Sequence, residues 1–86
     1  MDIKKNVILR TVAGEHMLVP IGDTVFQYNG IFMMTDSGKL LWENIRNGAE
    51  KDELVKVLTS EYEIDEATAL QDVEEFLEKL RSYEII

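Results

Sequence analysis

The most constraining feature of this sequence is a change of hydrophobic period at Thr35. Before that point the apolar residues come in short, β-branched runs; after it they recur at helical spacing. Strands that all precede helices cannot build the alternating units of a parallel sheet, so the order β-β-β-α-α-α implies an α+β fold. The expected architecture is a three-stranded antiparallel sheet followed by a three-helix bundle. With 86 residues there is room for one domain, spanning residues 1–86, and none for a linker and a second core.

In the front half, Val7-Ile8-Leu9-Arg10-Thr11-Val12 reads as a first strand and His16-Met17-Leu18-Val19-Pro20 as a second. The three residues between them, Ala13-Gly14-Glu15, form a hairpin signal. Pro20 has no N–H for a ladder and belongs at a strand end or an edge. Gly22-Asp23 and Asn29-Gly30 mark turns, and Thr24-Val25-Phe26-Gln27-Tyr28 between them reads as a short irregular or single-turn segment. Ile31-Phe32-Met33-Met34 is a third, wholly apolar strand.

Thr35 or Asp36 caps a first helix, whose inward face is Leu41 and Ile45 with Leu40 and Trp42 beside them; Asn47-Gly48 ends it. A second helix covers 51–61 and buries Leu54, Val55, Leu58 and then Tyr62, with poor capping chemistry at Ala49-Glu50. Asp65 caps a third helix over 66–83. Its Ala69, Val73, Phe76 and Leu80 form one stripe for the core, with Leu70 and Leu77 about 100° round from it.

The charge is unevenly placed. Residues 1–49 balance five acids against five bases, whereas residues 50–86 hold twelve acids and four bases and carry the whole net charge of −8. Solvated acidic helix faces account for this; equally, such a surface repels nucleic acid and attracts basic partners. Catalytic classes fall away in turn. There is no Cys, so no disulfide, thiolate metal site or Cys nucleophile, and the single His16 cannot build a multi-histidine site. His16 reads as a surface residue at a strand end. The acids of 61–66 and 74–78 lack the ligand spacing of an EF-hand, and no Gly-rich loop carries the Lys of a phosphate-binding motif. The expectation is a non-enzyme with no metal and no cofactor. No stretch is long and apolar enough for a membrane span or a signal peptide, so the chain reads as cytosolic.

Two surfaces invite a partner. The third helix has an apolar face wider than one core contact needs, which suits either packing between two neighbours or one flank lining a groove. The third strand is apolar on both sides of its pleat. It is either an ordinary buried strand or an edge whose unpaired N–H and C=O groups accept an added strand, with Met33 and Met34 adapting to varied contacts.

A small sheet followed by three helices is also the outline of winged-helix proteins, many of which bind DNA. Such a helix needs Lys and Arg for phosphates, yet residues 66–84 carry six acids and two bases. Four segments bear a more specific likeness: Val19-Pro20-Ile21-Gly22-Asp23, Tyr28-Asn29-Gly30-Ile31, Thr35-Asp36-Ser37-Gly38-Lys39-Leu40-Leu41-Trp42 and Asp72-Val73-Glu74-Glu75-Phe76-Leu77-Glu78-Lys79-Leu80. In order, spacing and total length they resemble the pyrroloquinoline quinone synthesis protein D (PqqD-like) family over about residues 4–86.

That resemblance implies a winged helix-turn-helix-like fold and a peptide chaperone. Members bind the leader of a ribosomally made precursor peptide as a fourth strand on the third strand, beside the third helix. They then present it to a modifying enzyme, often a radical S-adenosylmethionine protein. By position, Ile31, Phe32, Met33 and Met34 would pair with the leader, and Leu70, Val73, Glu74, Leu77 and Arg81 would line the opposite wall. Phe32→Pro, or a charge at Leu77, is then expected to weaken leader binding more than folding. The Gly-Asp and Tyr-Asn-Gly-Ile stretches look more like homologues in other peptide-modification clusters than like quinone-pathway members. A winged-helix DNA-binding regulator and a structural subunit of another complex are the competing readings.

Overall fold

The computed structural model describes residues 1–22 and 31–86. The sequence-based expectations for Thr24–Tyr28 and for the Asn29-Gly30 turn lie outside those residues. Strand β1 (Val7–Val12) and strand β2 (Glu15–Pro20) form an antiparallel hairpin in which Val12 faces Glu15 and Val7 faces Pro20. The loop is two residues long rather than the expected three. Ala13 and Gly14 both have positive φ, 53° and 80°, as the primed hairpin turns that match strand twist require. Strand β3 (Phe32–Met34) then pairs antiparallel with β2, giving the sheet order β1-β2-β3. β3 is therefore an outer strand, hydrogen-bonded to β2 alone among the described residues.

The pleat sorts the side chains. On β2, His16 and Leu18 are buried, and on β3 Phe32 and Met34 are buried, so this face packs on the helices. Met33, between them, is 39% exposed. His16 shares the inward phase of Leu18, and it is a buried residue rather than the expected surface one. Its Nε2 donates to Asp36 Oδ1 at 2.6 Å, and its Nδ1 is hydrogen-bonded with Thr11 Oγ1 at 2.8 Å. The ring thereby ties both strands of the hairpin to the start of the first helix.

That helix, α1 (Asp36–Arg46), begins at Thr35, whose Oγ1 accepts from the Gly38 N–H at 3.2 Å. It ends in a Schellman motif: Gly48, with φ 93°, donates to the Ile45 carbonyl, and Ala49 donates to that of Asn44. Leu41, Trp42 and Ile45 are buried from it. Helix α2 (Lys51–Glu61) follows, burying Leu54, Val55 and Leu58; Tyr62, expected to be buried with them, is 39% exposed, because the backbone turns extended at this C-cap residue. Its start is better capped than Ala49-Glu50 suggests, because Glu53 Oε1 reaches back to the Glu50 N–H at 3.1 Å, the reciprocal half of a capping box.

Helix α3 (Glu66–Ser82) is capped by Asp65, whose Oδ1 accepts from the Thr68 N–H at 2.7 Å. It buries Ala69, Val73, Leu77 and Leu80. The core stripe thus includes Leu77, assigned to the flank on sequence alone, while Phe76 is only half-buried. After α3 the chain turns back through Glu84, at φ 57°, and inserts Ile85 into the core. The Ile85 carbonyl accepts from the Lys4 N–H at 2.7 Å, which closes the molecule beside β1. The arrangement is α+β and compatible with the winged-helix outline.

Gly38 is the tightest point of this packing. A Cβ there would lie 3.2 Å from both Met34 Cβ and Phe76 Cε1, so a side chain at this point requires β3 or α3 to give by a few tenths of an ångström. Gly38→Val is expected to cost about 1–3 kcal/mol by overpacking, read as a lower midpoint in chemical denaturation. Asp65 supplies a pH-dependent element. The hydrogen bond from the Thr68 backbone holds its carboxyl below the usual aspartate range. The stability from this cap is therefore complete above the ordinary value of about 4 and disappears as pH falls through the lowered folded value. Asp65→Ala should lower Tm at pH 7, and the gap from the parent should close in strong acid.

Candidate functional site: the open edge of the third strand

The site begins with the backbone of β3. In an antiparallel ladder, successive residues direct their N–H and C=O groups alternately toward and away from the neighbouring strand. The carbonyl of Met33 accepts a hydrogen bond from Lys79 Nζ, at 2.9 Å, on the side away from β2. Met17 and Met33, which face one another, are thus a non-hydrogen-bonded pair. Met33 directs both its backbone groups outward, whereas Phe32 and Met34 spend theirs on β2.

Beside that edge runs α3. Phe32 projects from β3 into an aromatic notch: its ring meets Tyr83 edge-on at 5.0 Å and Phe76 edge-on at 6.0 Å between centroids. Lys79 Nζ lies 4.5 Å from the centroid of the same ring, within cation–π range. Phe76, Lys79 and Tyr83 are spaced three and four residues apart, so they share one flank of the helix. A recess of about 360 Å³ opens where this flank meets α1, bordered by Thr35, Gly38, Leu41, Asp72, Phe76 and Lys79. This recess between α1 and α3 has an apolar floor that includes Leu41 and Phe76 and a mixed rim of Asp72, Glu75 and Lys79.

The strand residues named from sequence divide by face. Ile31 and Met33 are exposed, at 57% and 39%, while Phe32 and Met34 are core. The five α3 residues expected on the opposite wall are not brought to β3. Val73 and Leu77 are buried in the core, 0% and 1% exposed. Leu70, Glu74 and Arg81 lie on the other flank. Glu74 pairs with Lys51 of α2 at 3.4 Å, and Leu70 shares a recess with Val55 and Ile64. Arg81 pairs with Glu78 at 3.7 Å. The physical reason is rotation. Two residues advance a helix by about 200°, so Arg81 faces nearly away from Lys79. The residues that lie beside the strand, Phe76, Lys79 and Tyr83, are not singled out by the sequence, because a wide apolar face does not say which flank meets the sheet. Two aromatics seven residues apart with a lysine between them were the available signal.

Comparison with known proteins bears on this edge. The family profile described as coenzyme PQQ synthesis protein D (PqqD) matches residues 15–86. The chain belongs to the PqqD family. The matched region contains β2, β3 and all three helices, hence both sides of the cleft. Among solved structures, "TbiB1 in Complex with the TbiA(beta) Leader Peptide" has the same fold, with a TM-score of 0.79 and 24% sequence identity, covering 99% of this chain and 93% of that one. No curated protein sequence matches the chain. In PqqD-family terms, the Ser-Gly-x-x-Leu-Trp segment is α1 closing onto β3 through Gly38, with Leu41 and Trp42 in the core. The Asp-Val-x-x-Phe-Leu-x-x-Leu segment contributes Val73, Leu77 and Leu80 to that core and Phe76 to the cleft. Among the described residues no helix is long and apolar enough to cross a membrane.

Because Phe32 and Leu77 are both core, neither can separate binding from folding, contrary to the expectation from sequence. Phe32→Pro and Leu77→Glu should each cost several kcal/mol, through a lost ladder bond in one and an unpaired buried charge in the other. Both variants should lose the cooperative thermal transition followed by circular dichroism.

Proposed function

We propose that this chain is a leader-peptide recognition element. It binds the leader of a ribosomally synthesised precursor peptide by strand addition at β3 and presents it to a modifying enzyme. The observation that carries the reading is the outward-facing backbone of Met33 on an outer strand, beside the aromatic flank of α3. An extended peptide laid there gains main-chain hydrogen bonds from the edge, and its alternate side chains meet either the cleft or the exposed Ile31 and Met33. Membership of the PqqD family supports it, as does a neighbour of the same fold solved in complex with a leader peptide.

In this reading the peptide-binding residues are Ile31 to Met34 through their backbone, with Met33 central, and Phe76 and Tyr83 on the helix side. Leu70, Glu74 and Arg81 are left for contacts outside the cleft. The role is non-catalytic and cytoplasmic, and the enzyme that receives the peptide is of the radical S-adenosylmethionine class. The product is pyrroloquinoline quinone or another modified peptide. The DNA-binding alternative is opposed by charge: α3 and the turn after it carry six acids against Lys79 and Arg81, which disfavours phosphate contact.

Met33→Pro tests the reading. Proline removes the outward N–H without taking a donor from the β2 ladder, a position that edge strands tolerate. Synthetic leaders of PqqD-cluster precursor peptides are titrated calorimetrically, and for a leader that the parent binds the variant should show binding weakened at least about tenfold, the loss of one edge hydrogen bond and its alignment. The melting temperature should remain close to the parent's. Parent-like affinity in the variant would exclude strand addition at this edge.

A further inference from the structure

The same hydrogen bond that marks the edge also closes it. Lys79 Nζ lies 2.9 Å from the Met33 carbonyl oxygen, the group to which an added strand would donate an N–H. The same ammonium lies 4.5 Å from the centroid of the Phe32 ring. Resting on the leader-binding reading, we infer that Lys79 is a latch and a specificity-determining residue. In the peptide-free protein its ammonium caps the β3 edge, and a peptide enters only by displacing it.

Three observations support a movable latch rather than a fixed structural bond. Lys79 is exposed, so its ammonium leaves the carbonyl without losing a buried environment. A second acceptor waits one turn back: Glu75 stands four residues N-terminal to Lys79, the favourable order for a helix-surface ion pair. Among the described residues, Glu75 accepts only a long contact of 3.4 Å from Gln71 Nε2. Finally, the core does not need the ammonium, because Phe32 is already held by Phe76 and Tyr83. An outer strand with free backbone groups is a template for unwanted pairing, and a lysine across it is a recognised means of blunting such an edge. Here the blunting group sits at the one residue whose N–H and C=O both point outward. A strand that pairs with Met33 and also fills the aromatic cleft displaces the ammonium. A strand offering only backbone pairing does not.

The test uses Lys79→Met, which keeps an unbranched apolar side chain and removes the donor, with Lys79→Arg as the conservative counterpart. Two readouts are compared with the parent: affinity for the same synthetic leader, and apparent mass in sedimentation velocity without peptide. Lys79→Met should bind the leader about two- to tenfold more tightly, the equivalent of one hydrogen bond no longer broken on binding. It should also sediment at higher apparent mass through its uncapped edge, with Lys79→Arg close to the parent in both. Equal or weaker leader binding by a Lys79→Met protein that melts like the parent overturns the latch. If the parent binds no leader, the recognition reading fails by itself, and sedimentation decides the latch: an apparent mass unchanged by Lys79→Met overturns it. Should methionine disturb the fold, Lys79→Leu replaces it under the same criteria.

Discussion

The burial of Phe32 against α3 is the contact on which the rest of the molecule depends. A three-residue strand has too few ladder bonds to hold its own position. What fixes β3 is the Phe32 side chain, fully buried and met edge-on by Phe76 and Tyr83. Edge-to-face rings are directional as well as apolar, so this contact sets the distance and the rotation of α3 relative to the sheet. Once α3 is placed, Ala69, Val73, Leu77 and Leu80 must fill the space beneath, and the flank bearing Lys79 must lie along the strand edge.

The proposed function rests on the same constraint. The alternation of the ladder leaves Met33 with both backbone groups outward while its neighbours are satisfied by β2. The helix beside it supplies an aromatic flank and a lysine whose ammonium meets the exposed carbonyl. In the proposed reading the edge has to be open enough for a guest and closed enough to prevent self-pairing, and the inferred latch reconciles the two demands with one side chain.

Parts of this were legible in the residues because they are local. The Thr35 and Asp65 caps and the Gly48 terminus rest on chemistry within a few residues, and all occur as read. The hairpin was placed correctly, although its loop proved shorter because Ala13 accepts a positive φ that is seldom asked of alanine. His16 was misjudged for a non-local reason: its polarity suggests the surface, but pleat phase puts it inside, where Asp36, twenty residues on, gives it a partner. The five α3 residues first placed on the cleft wall show the same limit. Periodicity established that α3 has a broad apolar face, but the orientation of that face belongs to the packing of Phe32, Phe76 and Tyr83.

By itself the sequence determined the order of three strands and three helices, the apolar character of the third strand, and an acidic third helix unsuited to nucleic acid. Each follows from local propensity, periodicity or net charge, which need no knowledge of neighbours. Only the tertiary structure decided that β3 is outermost, that Leu77 is core while Phe76 meets the cleft, and that Lys79 reaches the Met33 carbonyl. These depend on the rotation of a helix about its axis, and a rotation is set by the surfaces that meet rather than by the residues of one segment.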